Sequence, residues 1–134
     1  MLSRNQAQER MMNCIYNYLF NEKNGNEINI KEIIENAFEE DLSEVELYVQ
    51  NVILQSLKHK EEIDELIINN LSDKLKLERI NIVAHAIFLL AVGQYKYVGE
   101  INKSEMINIA VELAKKYLDD GEYRFIHAIL DKIL

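Results

Sequence analysis

The side chains that most often perform catalysis are few in this chain and stand far apart. The 134 residues include one cysteine, Cys14, and three histidines, His59, His85 and His127. Cys14 falls on the apolar stripe of a predicted helix, where a thiol is usually inert packing. The histidines are too dispersed to indicate a metal site, and we expect His85 on a buried or half-buried helix face. We therefore predict no catalytic residue, no metal and no cofactor.

Carboxylate pairs and glycines give no stronger indication of an enzyme. Glu61-Glu62 and Asp119-Asp120 stand at expected helix ends, where acidic side chains favour the helix dipole or solvent. The four glycines are too widely spaced for a phosphate-cradling loop. Arg124 has the chemistry of a phosphate ligand, because a guanidinium stays charged and donates paired hydrogen bonds. A solvated arginine at the start of a helix is the alternative.

The net charge of −8 argues mildly against a nucleic-acid partner, but the charge is unevenly distributed. Residues 25–69 carry three basic and twelve acidic side chains, whereas residues 70–134 carry nine of each. The ends of the chain are therefore free to face a polyanion. The best basic clusters are Lys115-Lys116 and a second cluster made of Lys74, Lys76 and Arg79.

Helices must position these side chains, because the chain has no proline and little glycine. Ser3, Asn29 and Ser43 each stand three residues before a glutamine or glutamate, which is typical of a helix N-terminus. A fourth helix is predicted from near Glu61, and a long apolar helix from about residue 77 to residue 95. No strand-like alternation is visible, so the sequence predicts an all-α fold.

The C-terminal residues have the pattern of a helical hairpin. One apolar stripe recurs at intervals of three and four residues: Ile107, Ala110, Val111, Ala114 and Tyr117. A second stripe begins at Phe125 and continues to the end of the chain, and Gly121 lies in the break between the two. The opening residues lack a signal-peptide pattern, and no apolar run is long enough to span a membrane. We therefore expect a cytoplasmic protein with no membrane partner.

Periodicity indicates only that these helices pack together, whereas the identities of the residues indicate a resemblance to a known family. Residues 107–117 read INIAVELAKKY and residues 124–133 read RFIHAILDKI. This order resembles the end of the NusB family of bacterial transcription antitermination factors. IDELI at 63–67, LERI at 77–80 and AIFLLAVGQ at 86–94 are similar to further family stretches. The resemblance touches most of the chain and is weakest between about residues 20 and 60.

The resemblance implies one NusB-like domain over residues 1–134, with about seven helices in two packed bundles, divided near residues 71 and 72. It implies binding of boxA-like single-stranded RNA together with the small-subunit ribosomal protein NusE, within the RNA polymerase antitermination complex. The implied RNA contacts are phosphate ligands, a stacking aromatic and one polar side chain: Arg4, Arg10 and Arg124, then Phe125, then Gln8. Core packing explains Phe125 at least as well.

Three further residues are implied to bind the protein partner: Tyr16, Gln94 and Asn108. Tyr16 and Asn108 each have a structural alternative, because an aromatic at helical spacing is more often core and Asn108 could cap or brace a neighbouring turn. The chain also departs from the family pattern, since Gln8 stands where arginine is usual and Gln94 where glutamate is usual. A second interpretation therefore stays open, in which the chain is a protein–protein adaptor, as a monomer or a homodimer, that has lost RNA binding.

Overall fold

All regular structure in the described part of the chain is helical. The computed structural model describes residues 2–72 and 77–134. Its seven α-helices are α1 (Arg4–Lys23), α2 (Ile30–Phe38), α3 (Leu47–Lys58), α4 (Lys60–Ile68), α5 (Ile82–Val92), α6 (Lys103–Tyr117) and α7 (Asp120–Ile133). Turns of 3-10 helix lie at Leu42–Glu44 and Leu77–Arg79, and α5 continues into a π-helical segment, Gly93–Val98. The predicted all-α fold of about seven helices is confirmed.

Two of the predicted helix caps are confirmed. The Ser3 hydroxyl accepts a hydrogen bond from the Gln6 backbone N–H, and the Gln6 side chain accepts one from the Ser3 N–H at 2.8 Å. The Asn29 side chain accepts from the Glu32 N–H at 3.1 Å. Each bond satisfies a backbone donor that has no partner within the first helical turn. These caps fix where α1 and α2 begin.

Two predicted helix starts are wrong. Ser43 lies within the 3-10 turn Leu42–Glu44, and α3 begins only after Glu46, whose side chain makes no capping bond. The apolar helix begins at Ile82 rather than near residue 77, because the Asn81 side chain accepts from the Val83 N–H and caps it there. The residues from Leu77 to Arg79 form a separate turn.

Helix α5 is the centre of the hydrophobic core. Residues 86–92 are all buried, and α5 packs against α1, α3, α4, α6 and α7. A helix surrounded by neighbours must be apolar on every side, which explains the uninterrupted hydrophobic run. The predicted division into two bundles near residues 71 and 72 adjoins residues 73–76, which lie outside the described residues.

The predicted hairpin forms at the C-terminus, although Tyr117, the last residue of the first predicted stripe, is exposed. Helices α6 and α7 pack against each other and against α5. On α7 the buried residues are Ile126, Ile129, Leu130 and Ile133. Burial of each such side chain contributes about 1.5–3 kcal/mol to folding. Within the described ranges, no helix is both long and apolar enough to cross a membrane.

Candidate nucleic-acid interface

The three predicted phosphate ligands lie against three different elements. Arg4 Nη1 donates to Glu105 Oε2 at 2.8 Å, at the start of α6. Arg10 Nη1 donates to the Ala37 carbonyl at 3.1 Å, near the end of α2. Arg124 lies exposed on α7, its guanidinium carbon 5.8 Å from the centre of the Tyr123 ring. The three guanidinium groups therefore have no contact partner in common.

The two glutamines of the predicted site are bonded to each other inside the protein. Gln8 is 3% exposed and Gln94 is 1% exposed. Gln8 Nε2 donates to Gln94 Oε1 at 2.8 Å, and Gln94 Nε2 donates to Gln8 Oε1 at 2.9 Å. Because both amides are used in the interior, the prediction of a surface contact is wrong for each of them. Their role is to join α1 to the π-helical segment after α5.

Phe125 lies between the core and the surface. Its ring is half-buried and meets the ring of Phe88 edge to face, with the ring centroids 5.9 Å apart. Phe125 is therefore compatible with both core packing and RNA contact, because one part of its ring packs on α5 and another part remains accessible. Arg124 precedes it on α7, so a cation and an aromatic edge stand side by side at this position.

The remaining predicted partner contacts lie on different parts of the surface. Tyr16 is half-buried and stacks on Phe20, with ring centroids 6.2 Å apart. Asn108 is exposed and lines a groove of about 560 Å³ between α1 and α6. Asn108 makes no capping bond in α6, whose N-terminus is capped by Asn102. Both side chains are accessible to a partner.

The groove between α1 and α6 contains an ion pair that sequence reasoning missed. Lys116 Nζ donates to both carboxylate oxygens of Glu9, at 2.9 Å each, and the Tyr117 hydroxyl donates to Glu9 Oε1. Hydrogen bonds from Tyr117 and Lys116 lower the pKa of Glu9. The same contacts raise the pKa of Tyr117 and of Lys116. The Lys115-Lys116 cluster was visible in the sequence, but its carboxylate partner lies about a hundred residues away.

A second charged network was also missed. His85 Nε2 lies 2.6 Å from Asp64 Oδ1, and Lys60 Nζ donates to Asp64 Oδ2 at 2.9 Å. His85 is half-buried, as expected from the sequence. Burial favours the neutral form of Asp64, but the bonds from His85 and Lys60 outweigh it and lower the Asp64 pKa. This network joins α4 to α5.

The Cys14 thiol is buried. Burial raises the pKa of Cys14 to about 12, so its thiol stays protonated near neutral pH. No group of three or more histidine, cysteine, aspartate or glutamate side chains among residues 2–72 and 77–134 is placed to hold a metal ion. Of the second basic cluster, Lys74 and Lys76 lie outside the described residues.

Comparison with solved structures supports the fold. The chain superposes on T. maritima NusB with a TM-score of 0.83 and 22% identity, over 98% of this chain and 90% of that one. It is also similar to a crystal structure of the antitermination factors NusB and NusE in complex with double-stranded RNA. That superposition has a TM-score of 0.79 and 21% identity, over 97% of this chain and 94% of the other.

Comparison of sequences extends the likeness from fold to family. The NusB family model matches residues 5–134. The transcription antitermination protein NusB of Bacillus cereus strain B4264 is 36% identical over 132 residues, which cover 98% of this chain and 97% of that protein. The protein of the same name from Bacillus anthracis strain CDC 684 gives the same identity and coverage. The chain therefore belongs to the NusB family.

Proposed function

We propose that this chain is a transcription antitermination factor that binds boxA-like single-stranded RNA together with the ribosomal protein NusE. Through this binding it would modify the processivity of RNA polymerase on ribosomal-RNA operons, in the cytoplasm. Its role is adhesive rather than catalytic. The observation that carries the proposal is the match along almost the whole chain to proteins named transcription antitermination protein NusB.

The surface around the α6–α7 hairpin supports the RNA part of the proposal. Arg124 is exposed beside Phe125, and Lys115 and Lys116 are exposed at the end of α6. Lys115 Nζ lies 5.3 Å and the Arg124 guanidinium carbon 5.8 Å from the centre of the Tyr123 ring, so both cations contact the same aromatic side chain. Cations beside aromatic edges are what single-stranded RNA binders use to hold phosphates and bases.

Binding of fluorescent boxA RNA in the presence of NusE, measured over a range of salt concentrations, tests this proposal. Arg124→Ala removes one cation, so we expect the dependence of log affinity on log salt to become shallower by about 0.7. Phe125→Leu keeps an apolar side chain on Phe88 but removes the ring, at a cost of about 1–3 kcal/mol in RNA affinity. Lys132→Ala is the control, because Lys132 is an exposed cation at the far end of the same helix.

Three outcomes separate this proposal from the adaptor interpretation. Salt-dependent binding that weakens in Arg124→Ala and Phe125→Leu but not in Lys132→Ala supports the RNA proposal. Equal weakening in Arg124→Ala and Lys132→Ala, with Phe125→Leu unchanged, indicates a general charge effect and contradicts the proposed surface. Binding to NusE with no affinity for RNA supports the adaptor interpretation. One structural observation favours that interpretation: Arg4 and Lys116 already pair with carboxylates of this chain.

A further inference from the structure

We propose that Glu9 competes with RNA phosphate for Lys116 and thereby limits how tightly this chain binds RNA. The inference rests on the proposed function and concerns the groove between α1 and α6. Glu9 lies on α1, whereas Lys116 and Tyr117 form the last turn of α6. One carboxylate therefore spans two elements and holds both of the side chains that α6 presents there.

The geometry makes Glu9 the inner partner and Lys116 the outer one. The side chain of Glu9 is 24% exposed, and that of Lys116 is 60% exposed. Both oxygens of the carboxylate accept from the same ammonium, at 2.9 Å each. A phosphate approaching from solvent thus meets an ammonium that is already neutralised from behind. To bind Lys116 the phosphate must share it with a fixed negative charge or displace that charge.

The same carboxylate also holds an aromatic ring. The Tyr117 hydroxyl donates to Glu9 Oε1, and the residue is 42% exposed. Lys116 Nζ lies 5.6 Å from the centre of the Tyr117 ring. A cation and an accessible ring are the two groups that hold single-stranded RNA. Glu9 restrains one of each.

The neighbouring ion pair on α6 provides a matched comparison. Lys115 Nζ lies 3.7 Å from Glu112 Oε1, and the side chains are 50% and 75% exposed. Because this contact is longer and more exposed to solvent, we expect it to reduce the binding of phosphate to Lys115 only slightly. Glu112 and Glu9 both line the groove, so replacing either removes the same charge from the same surface. Of these two glutamates, Glu9 is the one bonded to Lys116.

The test measures affinity for boxA RNA at several salt concentrations with NusE present. The unchanged full chain is compared with four variants: Glu9→Gln, Glu112→Gln, Lys116→Gln and the double variant Glu9→Gln/Lys116→Gln. We expect Glu9→Gln to bind RNA about three- to tenfold more tightly than the unchanged chain. We also expect a salt dependence steeper by about 0.7, because one more cation becomes free to pair with phosphate. Glu112→Gln is expected to change affinity less than twofold, and the double variant to lose the gain.

The results distinguish a failure of this inference from a failure of the proposed function. RNA binding by the unchanged chain with no gain in Glu9→Gln overturns the inference alone. A gain that persists when Lys116 is also replaced, or an equal gain in Glu112→Gln, overturns it too, because general electrostatics would then suffice. Absence of RNA binding in every variant overturns both proposals. Thermal unfolding of each variant establishes that the changes act on binding and not on folding.

Discussion

Gln8 and Gln94 form a buried neutral pair that joins α1 to the π-helical segment after α5. Each amide donates to the other, and the Tyr48 hydroxyl also donates to Gln94 Oε1 at 3.1 Å. Two residues that look independent in the sequence are therefore partners in the structure. A charged pair at this place would need both members, because an unpaired charge in the interior is strongly unfavourable.

This pairing predicts non-additive effects of substitution. Gln8→Arg or Gln94→Glu alone places one uncompensated charge in the interior, so we expect each to lower the free energy of unfolding by about 3–5 kcal/mol. The double variant should recover most of that loss. Urea unfolding at neutral pH provides the double-mutant cycle, with the exposed Asn51→Asp on α3 as a control expected to stay within about 0.5 kcal/mol. Additive losses would contradict the pairing.

Asp64 predicts a dependence of stability on pH. Burial favours its neutral form, but bonds from His85 and Lys60 lower the Asp64 pKa below its ordinary value. The charged carboxylate therefore stabilises the folded chain above the unfolded pKa of about 3.9, and this contribution is lost as pH falls through the lower folded value. Asp64→Asn should cost about 1–3 kcal/mol at pH 7.

Urea unfolding of Asp64→Asn and the unchanged chain at pH 7, 5 and 3 measures this contribution. The difference between them should be nearly constant from pH 7 to pH 5 and should shrink towards pH 3, because pH 3 lies below the unfolded pKa of Asp64 and the stabilising contribution of the carboxylate falls from there. A difference that persists or grows in acid would show that the Asp64 carboxylate does not carry the link between α4 and α5.

At the scale of the elements, Gly93 is where α3 meets the end of α5. A Cβ atom placed on Gly93 would lie 2.1 Å from Ser56 Oγ and 2.8 Å from Ser56 Cα. Because the second of these atoms belongs to the backbone, a rotation of the Ser56 side chain cannot relieve the overlap. Helices α3 and α5 can approach this closely because glycine has no side chain. The π-helical segment also begins at Gly93.

Gly93→Ala should therefore destabilise the fold, by about 1–3 kcal/mol or more, through overpacking. Gly121→Ala is the matched control, because Gly121 lies in the first turn of α7 and a Cβ there meets only Asp119 Oδ1 at an ordinary 3.6 Å. Alanine is the better helix former, so Gly121→Ala should be neutral or stabilising by up to about 1 kcal/mol. Similar losses in thermal unfolding of the two variants would contradict the account.

The sequence predicts elements better than it predicts contacts between them. Ser3 and Asn29 were recognisable caps because capping is local, whereas Ser43 has the same spacing but begins only a 3-10 turn. Asn81 was the usable signal for the start of α5. The partners of Gln8 and Glu9 lie 86 and 107 residues away, so no local pattern could reveal them.

At the scale of the whole molecule, the acidic block and the candidate RNA surface are separate in sequence. Residues 25–69, which carry the negative charge, supply α2, α3 and α4, whereas the hairpin of α6 and α7 carries Lys115, Lys116 and Arg124. A chain of net charge −8 gains little general attraction to RNA. Under the proposed function, tight RNA binding would therefore depend on the local cations of the hairpin and on NusE.

The most direct test of the central claim is whether this chain, NusE and boxA RNA form a complex that survives size-exclusion chromatography at about physiological salt. The account predicts a complex with one copy of each component, which a scrambled RNA of equal length does not form and which higher salt dissociates. Co-elution with NusE alone, unchanged by boxA RNA, would contradict the proposed RNA-binding function.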